Sequence, residues 1–439
     1  MTYSFGDFFT NPLLAAPTIG SMLMCFIASL IGVILLMQKR VLIGETLSHA
    51  AYPGVVLGVI SASVFLSLGS PFIALFILLF AALFSFLAIY CLNFFERHKM
   101  AASDSALCLI LSLFFGFGVL LASRVQLTHS AWYNQIQIYL YGQVATMVAS
   151  HIWIYAIFAL LTLLIVILFY HQIRATTFDP LFARTVGIKV SFIEYLLALL
   201  LVVAVTLGIR TVGVVLMSGM LIAPAVSARC YTDRFSHLFI LSAIFGAFSG
   251  FCGNYLSLAI PHYFDAPHLL LPTGPLVFLS AASILILSLL FAPKKGAFSR
   301  LARRFQFKSQ TALENILKAI AKNGPLTKEQ IGEGEPANPL IIYLVLQKAK
   351  RDGWTVRDPK GRYKLTSDGK IHAARIIRLH RLWEVYLVDY LGQGASQVHP
   401  SAEKMEHVLS GLENELTRFL KRPRKDPHGK TICYTKGRL

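Results

Sequence analysis

The chain has 439 residues, of which 56% are hydrophobic and only 14% charged, with a formal net charge of +18. That balance excludes a uniformly soluble protein and is the composition of a membrane protein. The six cysteines form no CxxC pair, which excludes a disulfide framework or a thiolate metal knot. The charge is unevenly placed. Up to Pro293 there are 11 Lys/Arg against 8 Asp/Glu, whereas from Lys294 onward there are 29 against 14. An apolar integral-membrane part is therefore followed by a basic soluble part of ordinary domain size. Its charge suits nucleic acid or anionic lipid, or a solvated surface that helps orient the last span.

Apolar runs of membrane-crossing length fall at 13–37, 42–66, 71–92, 105–123, 151–171, 192–209, 211–229, 237–260 and 274–292, nine in all. An eight-span variant is the alternative, because Arg210 leaves almost no loop between two of them. Lys39, Arg40, Arg97, Lys99, Arg174, Arg184, Lys189, Arg229, Arg234, Lys294 and Lys295 follow alternate spans, and the opposite loops hold only Arg124 and Arg210. The positive-inside rule then puts the N-terminus outside and everything after Pro293 in the cytoplasm. The second span carries Gly44-Glu45-Thr46-Leu47-Ser48-His49-Ala50-Ala51-Tyr52-Pro53-Gly54. Glu45 and His49 are one helical turn apart and leave the same face. Ionisable groups at this depth face a bundle interior, a cavity or an ion path, and oxygen plus imidazole nitrogen suits divalent manganese, iron or zinc. The plain alternative is that the two groups bond only to each other or to nearby carbonyls.

The loop 124–150 holds Trp132, Tyr133, Tyr139 and Tyr141 and reads as interfacial or partly re-entrant. In 177–188, Asp179 caps a short helix, Pro180 opens it and Gly187 ends it. This is either a plain surface connector or a helix that docks into an ATPase. The stretch 213–225 has small residues for close helix approach and a kink-permitting Pro224.

The strings GETLSHAAYPG, FDPLFARTVGI and GVVLMSGMLIAPAVSA, in this order, resemble the permease of the manganese/zinc/iron class of ABC transporters, over nearly all of 13–292. The resemblance implies a permease dimer, two cytoplasmic ATPases and an external metal-binding protein. It places Glu45, where the family usually has Asp, and His49 on the metal path, and it makes Asp179, Pro180, Ala183 and Gly187 part of the ATPase-coupling helix. No G-x-x-x-x-G-K-[ST] is found, so ATP hydrolysis and nucleotide binding are expected on a separate subunit.

Residues 293–310 are basic and loosely patterned, and read as a linker with a candidate cleavage site; Arg300, Arg303 and Arg304 suit anionic lipid. Then Leu313, Ile316, Leu317 and Ile320 give helical spacing. A short helix over 327–331, a third over 340–351 and a hairpin of 354–356 with 362–365 follow. With excess positive charge this is a winged helix-turn-helix pattern, 311–370. The third helix shows Leu340, Ile341, Ile342, Tyr343 and Leu344, with Lys348 and Arg351 placed for phosphates. Over 371–439, His380 and Glu384 share one helix face, and Glu403, Glu406 and His407 another, with His399 just before. These oxygen and nitrogen donors favour Mn²⁺ or Fe²⁺ over a structural zinc knot. Two amphipathic helices with surface carboxylates are the plain alternative.

The string LTSDGKIHAARIIRLHRLWEVYLVDYLG…VHPSAEKMEHVL resembles metal-dependent repressors of the diphtheria-toxin-repressor type, over about 311–430. The resemblance implies that Glu403, Glu406 and His407 are primary ligands. It makes His380, Glu384 and His399 ancillary ones and Glu314 a first-helix ligand, with Thr311 where manganese-responsive members carry Asp. It also implies a dimer on a palindromic DNA operator. The whole chain looks like the permease–repressor fusions of some intracellular bacteria. The expectation is an all-α polytopic protein in the inner membrane with a soluble winged-helix and metal-sensing end. A sensor that only gates the pore, and a secondary transporter driven by an ion gradient, are the rival readings.

Overall fold

The computed structural model of the chain describes residues 6–65, 70, 72–128, 130–144, 147–264, 271–334, 338–394, 397–408 and 412–434. Residues 66 and 71, which end and begin two expected spans, and the last five residues of the expected sensing domain lie outside the described residues. The chain divides into two compact units, Met1–Ser299 and Arg300–Leu439.

The first unit is helical. A single turn, α1 (Asp7–Thr10), leads into α2 (Pro12–Met37), α3 (Val41–Phe65), α4 (Ile73–Arg97), α5 (Ser103–Thr128), α6 (Ser130–Tyr141) and α7 (Ala149–Leu168). Two short helices, α8 (Tyr170–Phe178) and α9 (Pro180–Thr185), precede α10 (Val190–Val212), α11 (Val214–Tyr231), α12 (Phe235–Tyr263) and α13 (Thr273–Phe291). Among the described residues nine helices are long and apolar enough to cross a membrane. They coincide with the nine expected spans to within a few residues. In lipid a helix satisfies its own backbone, which is why each apolar run takes this form. The two spans that the eight-span alternative would merge are separated at one residue. Gly213 stands between α10 and α11 at φ +94° and ψ 157°, a backbone region essentially closed to other residues, so the helix breaks there.

Helix α3 is a hub, as is α2; it is packed by α2, α4, α5, α6, α10 and α11. Its contact with α4 depends on missing side chains. A Cβ at Gly54 would come within 2.4 Å of the Phe80 carbonyl oxygen, and one at Gly58 within 2.7 Å of Ile77 Cα. Helices α2 and α12 are joined by small polar residues. Ser242 Oγ donates to Ser29 O at 3.0 Å, Ser21 Oγ to Gly250 O at 3.2 Å, and Asn254 Nδ2 to Thr18 Oγ1 at 2.6 Å. Van der Waals fit and such bonds drive helix association where no hydrophobic effect acts.

The aromatic loop resolves into the end of α5, the 12-residue α6 and a return segment. Helix α6 is too short to cross a bilayer, and it buries Ile136 and Tyr139 in the bundle. The return segment is pinned at the break between α10 and α11. Gln143 N donates to Arg210 O at 3.1 Å, and Val144 N to Thr273 Oγ1 at 3.0 Å.

The second unit holds most of α14 (Ala297–Asn323), then α15 (Lys328–Gly334), α16 (Pro339–Arg351), the strands β1 (Thr355–Arg357) and β2 (Tyr363–Leu365), α17 (Ser367–Asp389), α18 (Val398–Val408) and α19 (Glu413–Phe419). The strands are antiparallel, Val356 opposite Lys364, and Leu326 bridges to Tyr363. Leu313, Ile316, Leu317 and Ile320 of α14 enter a core with Ile342, Val345, Leu346 and Leu365. A second core joins Leu379, Leu382 and Trp383 of α17 to Val398 and Ala402 of α18 and Leu416 of α19. The stretch expected to be loosely patterned differs: from Ala297 it is part of α14. The 27 residues of α14 include neither Gly nor Pro and are rich in Ala, Leu, Arg and Lys, all strong helix formers.

Candidate metal sites

Glu45 and His49 leave α3 one turn apart, and both are half-buried. His49 packs edge-on against Phe115 of α5, with ring centroids 4.8 Å apart. Its Nδ1 is buried with no hydrogen-bond partner. Among the described residues neither Glu45 nor His49 forms an ion pair or side-chain hydrogen bond, so the alternative in which they satisfy each other does not hold. Pro53 adds a feature that residue pattern alone did not bring out. It has no N–H, so the carbonyl of His49, four residues earlier, loses its usual helical donor. One residue thus combines an unpartnered imidazole nitrogen with a carbonyl that lacks its usual amide donor, and a carboxylate lies one turn away.

Helix α9 is built as its residues predict. Asp179 Oδ1 accepts from Phe182 N at 2.9 Å, Pro180 occupies the first turn, and Gly187 follows at φ +85°. Ala183 is buried, while Leu181 and Phe182 are exposed. The short helix therefore offers an apolar face held by one buried alanine.

In the second unit the expected ligands separate into two groups. His380, Glu384 and His399 offer ligand atoms that all lie within 4.8 Å of one another. His399 Nδ1 is 2.9 Å from Glu384 Oε1, and His380 Nε2 is 3.2 Å from the same oxygen. His428, not foreseen, brings Nε2 to 3.8 Å of that oxygen. Its loop is set by Asp426 Oδ1, which accepts from His428 N at 3.0 Å and Lys430 N at 2.8 Å. Two or three imidazoles and one carboxylate make a borderline donor set that fits a divalent manganese, iron or zinc ion. Burial raises the Glu384 carboxyl, but hydrogen bonds from His380 and His399 outweigh it and bring the group to about 2. Burial pulls His380 down, yet its bonds to Glu384 and Glu406 leave it above the usual imidazole range.

The second group is Glu406, His407 and Glu314. His407 Nδ1 is 2.6 Å from Glu314 Oε2, and His380 Nδ1 is 2.6 Å from Glu406 Oε2. Lys318, also not foreseen, donates to Glu406 Oε1 at 2.9 Å. Glu403, expected beside Glu406 and His407, is exposed. On α16, Leu340, Tyr343, Leu344, Lys348 and Arg351 are exposed, and Ile342, Val345 and Leu346 are buried. Ile341 is half-buried.

The family model described as the ABC 3 transport family matches residues 10–292. The chain belongs to the ABC 3 transport family. A second model, described as the iron dependent repressor, metal binding and dimerisation domain, matches residues 366–434. Both parts of the resemblance read from the motifs are borne out. Relatives of this ABC 3 chain include a probable metal transport system membrane protein of Chlamydia trachomatis, 34% identical over 93% of this chain and 94% of that one. The manganese transport system membrane protein MntC of Bacillus subtilis is 32% identical over 84% of this chain and 82% of its own. Among solved structures, PsaBC from Streptococcus pneumoniae in complex with Fab superposes with a TM-score of 0.56, at 25% identity, over 68% of this chain and 97% of that chain. The chain is thus a multi-pass membrane subunit of a transport family, joined to a domain of repressor type.

Proposed function

We propose that residues 1–292 import a divalent metal ion, manganese, iron or zinc, as the membrane subunit of an ATP-driven transporter. The observation that carries this reading is His49, whose buried ring nitrogen is unspent on α3 of a transport-family fold. The names of the relatives, metal transport in one and manganese transport in another, support it. Glu45 and His49 act as transient ligands. A small mixed set selects the ion yet lets it leave. A second permease chain completes the pathway, an external metal-binding protein delivers the ion, and a cytoplasmic ATPase docks on Leu181 and Phe182 of α9. The N-terminus lies outside and the soluble unit in the cytoplasm beneath the inner membrane. Uptake of radioactive Mn²⁺ by cells making the chain with its ATPase tests the reading. Uptake that survives loss of the ATPase would make it a secondary transporter.

The soluble unit senses cytoplasmic metal through His380, Glu384 and His399 and, when loaded, binds an operator through α16, with Lys348 and Arg351 on phosphates. Release by cleavage within 293–310 would free it from the membrane. A second reading is favoured by one observation. Leu340, Tyr343 and Leu344 are exposed on α16, an apolar face better suited to protein than to base edges. On that reading the unit gates the permease and does not bind DNA. Binding of the protein to DNA upstream of its own operon, with and without Mn²⁺ and at a stated salt concentration, separates the two.

A further inference from the structure

The second unit contains an ammonium group where its repressor resemblance would place an ion. Lys318 leaves α14 one turn after Glu314, on the same face. Its Nζ donates to Glu406 Oε1 at 2.9 Å and Oε2 at 3.3 Å, and lies 3.5 Å from His380 Nδ1. The Glu406 side chain is fully buried, and that of Lys318 is 20% exposed. His407 Nε2, 3.5 Å from Glu406 Oε1, is buried without a hydrogen bond. The remaining ligands that a divalent ion would need are missing or engaged. Glu403 is exposed. Position 311 is Thr, its Oγ1 buried and unpartnered. Glu314 is held by His407 at 2.6 Å and by Gln310 Nε2 at 2.7 Å. With the Lys318 ammonium on Glu406, the residues present do not fit a divalent ion at this position.

We infer that Lys318 is the permanent cation of the Glu406 site, that it excludes divalent metal there, and that the His380, Glu384 and His399 cluster is the single ion seat of the second unit. The inference rests on the metal-sensing reading above and narrows it. The physical case is short. A buried carboxylate needs a positive partner, and removing that partner leaves an uncompensated charge. A lysine tethered one helix away acts at a high effective concentration. A divalent ion bound to Glu406 beside it would meet a like charge at about 3 Å, in a medium that screens poorly. The same bond ties α14 to α18 with no ion present. Metal then acts through α17, α18 and the His428 loop, and the packing of α14 does not depend on it.

The test counts Mn²⁺ on the purified full-length chain in detergent by equilibrium dialysis and elemental analysis. Every sample carries Glu45→Gln and His49→Ala to remove the transport-path ligands. One ion per chain is expected, lost on adding His399→Ala. Adding Lys318→Met to that His399→Ala chain is expected to restore one ion, and Glu406→Gln to remove it again. An ion that persists in the His399→Ala chain and is lost with Glu406→Gln would overturn the inference and leave metal sensing intact. A Lys318→Met chain that gains no ion would also overturn it. An ion gained with Lys318→Met, where the starting chain held none, would uphold exclusion by Lys318 and reject sensing at His380, Glu384 and His399. A second measurement needs no folded variant. Acetic anhydride labelling of the unmodified protein, read by mass spectrometry, should be slower at Lys318 than at the exposed Lys322 and unchanged by Mn²⁺. Faster labelling of Lys318 with Mn²⁺ would show the ion displacing the ammonium and end the proposal.

Discussion

On the proposed reading, His49, with its buried unpartnered ring nitrogen, is the residue at which the transport path is most directly tested. His49→Ala should bring Mn²⁺ uptake to background in cells that also make the ATPase, while the protein accumulates normally, since alanine is the best-tolerated residue in a helix. Normal uptake by a well-inserted variant would remove His49 from the path. In the second unit, pH dependence follows from two opposed shifts. Glu384, brought from 4.5 to about 2, contributes stability present above 4.5 and lost as pH falls toward 2. His380, raised above its ordinary 6.5, contributes stability present below 6.5 and lost as pH rises through its folded value. The metal-free cluster is therefore most stabilising between about pH 4.5 and 6.5, to be checked by denaturant titration of the chelator-treated protein. If His380 is a ligand, metal must displace its proton, so Mn²⁺ affinity should increase with pH up to that raised value and then level off. An affinity flat across this range would exclude His380 as a ligand. At this scale the sequence named the candidate ligands. Spacing put Glu403 with Glu406 and His407, but it could not show that Glu403 is left exposed, nor that Lys318 reaches Glu406 from another helix.

Single elements depend on local signals that were mostly legible. Asp179, Pro180 and Gly187 specify α9: the first caps it, the second opens it and the third follows its end at positive φ. Asp179→Ala should cost that helix about 0.5–2 kcal/mol and weaken co-purification of the ATPase with little effect on insertion. The α3–α4 contact is less tolerant. Gly54→Leu would drive a side chain into the Phe80 carbonyl, 2.4 Å from the Cβ position. Overpacking of this kind costs about 1–3 kcal/mol or more, so the expected outcome is a lower melting temperature in detergent and reduced yield. The end of one span and the start of the next around Arg210 were ambiguous by hydropathy, because both sides are apolar. Gly213 separates the two helices through its backbone angles. The expected linker became the first half of α14 because the absence of Gly and Pro outweighs high charge. Helical backbone resists proteases better than an open linker, which makes release a demanding step. A C-terminally tagged protein in its native host should nonetheless give a fragment of the second unit on an immunoblot. A full-length band alone would point to a unit that works at the membrane.

On the proposed reading the whole molecule couples an import pathway to a sensor on one chain, so the two are made in equal number. If the second unit is a gate, saturating cytoplasmic Mn²⁺ should suppress uptake by the wild-type protein and not by a Glu384→Gln variant. If it is a repressor, uptake per molecule should be the same in both, and transcription of the operon should differ instead. Composition and hydrophobic patterning determined the two-part division, the nine helices and the winged fold. These follow from forces that act locally: apolar length against bilayer thickness, and the spacing of core residues along a helix. The motif strings determined the family. Tertiary structure alone decided which charges meet. Lys318 and Glu406 are 88 positions apart, and His428 reaches Glu384 across 44. Such pairs are chosen by how helices and loops pack, because burial forces each charge to find whatever partner the fold brings near.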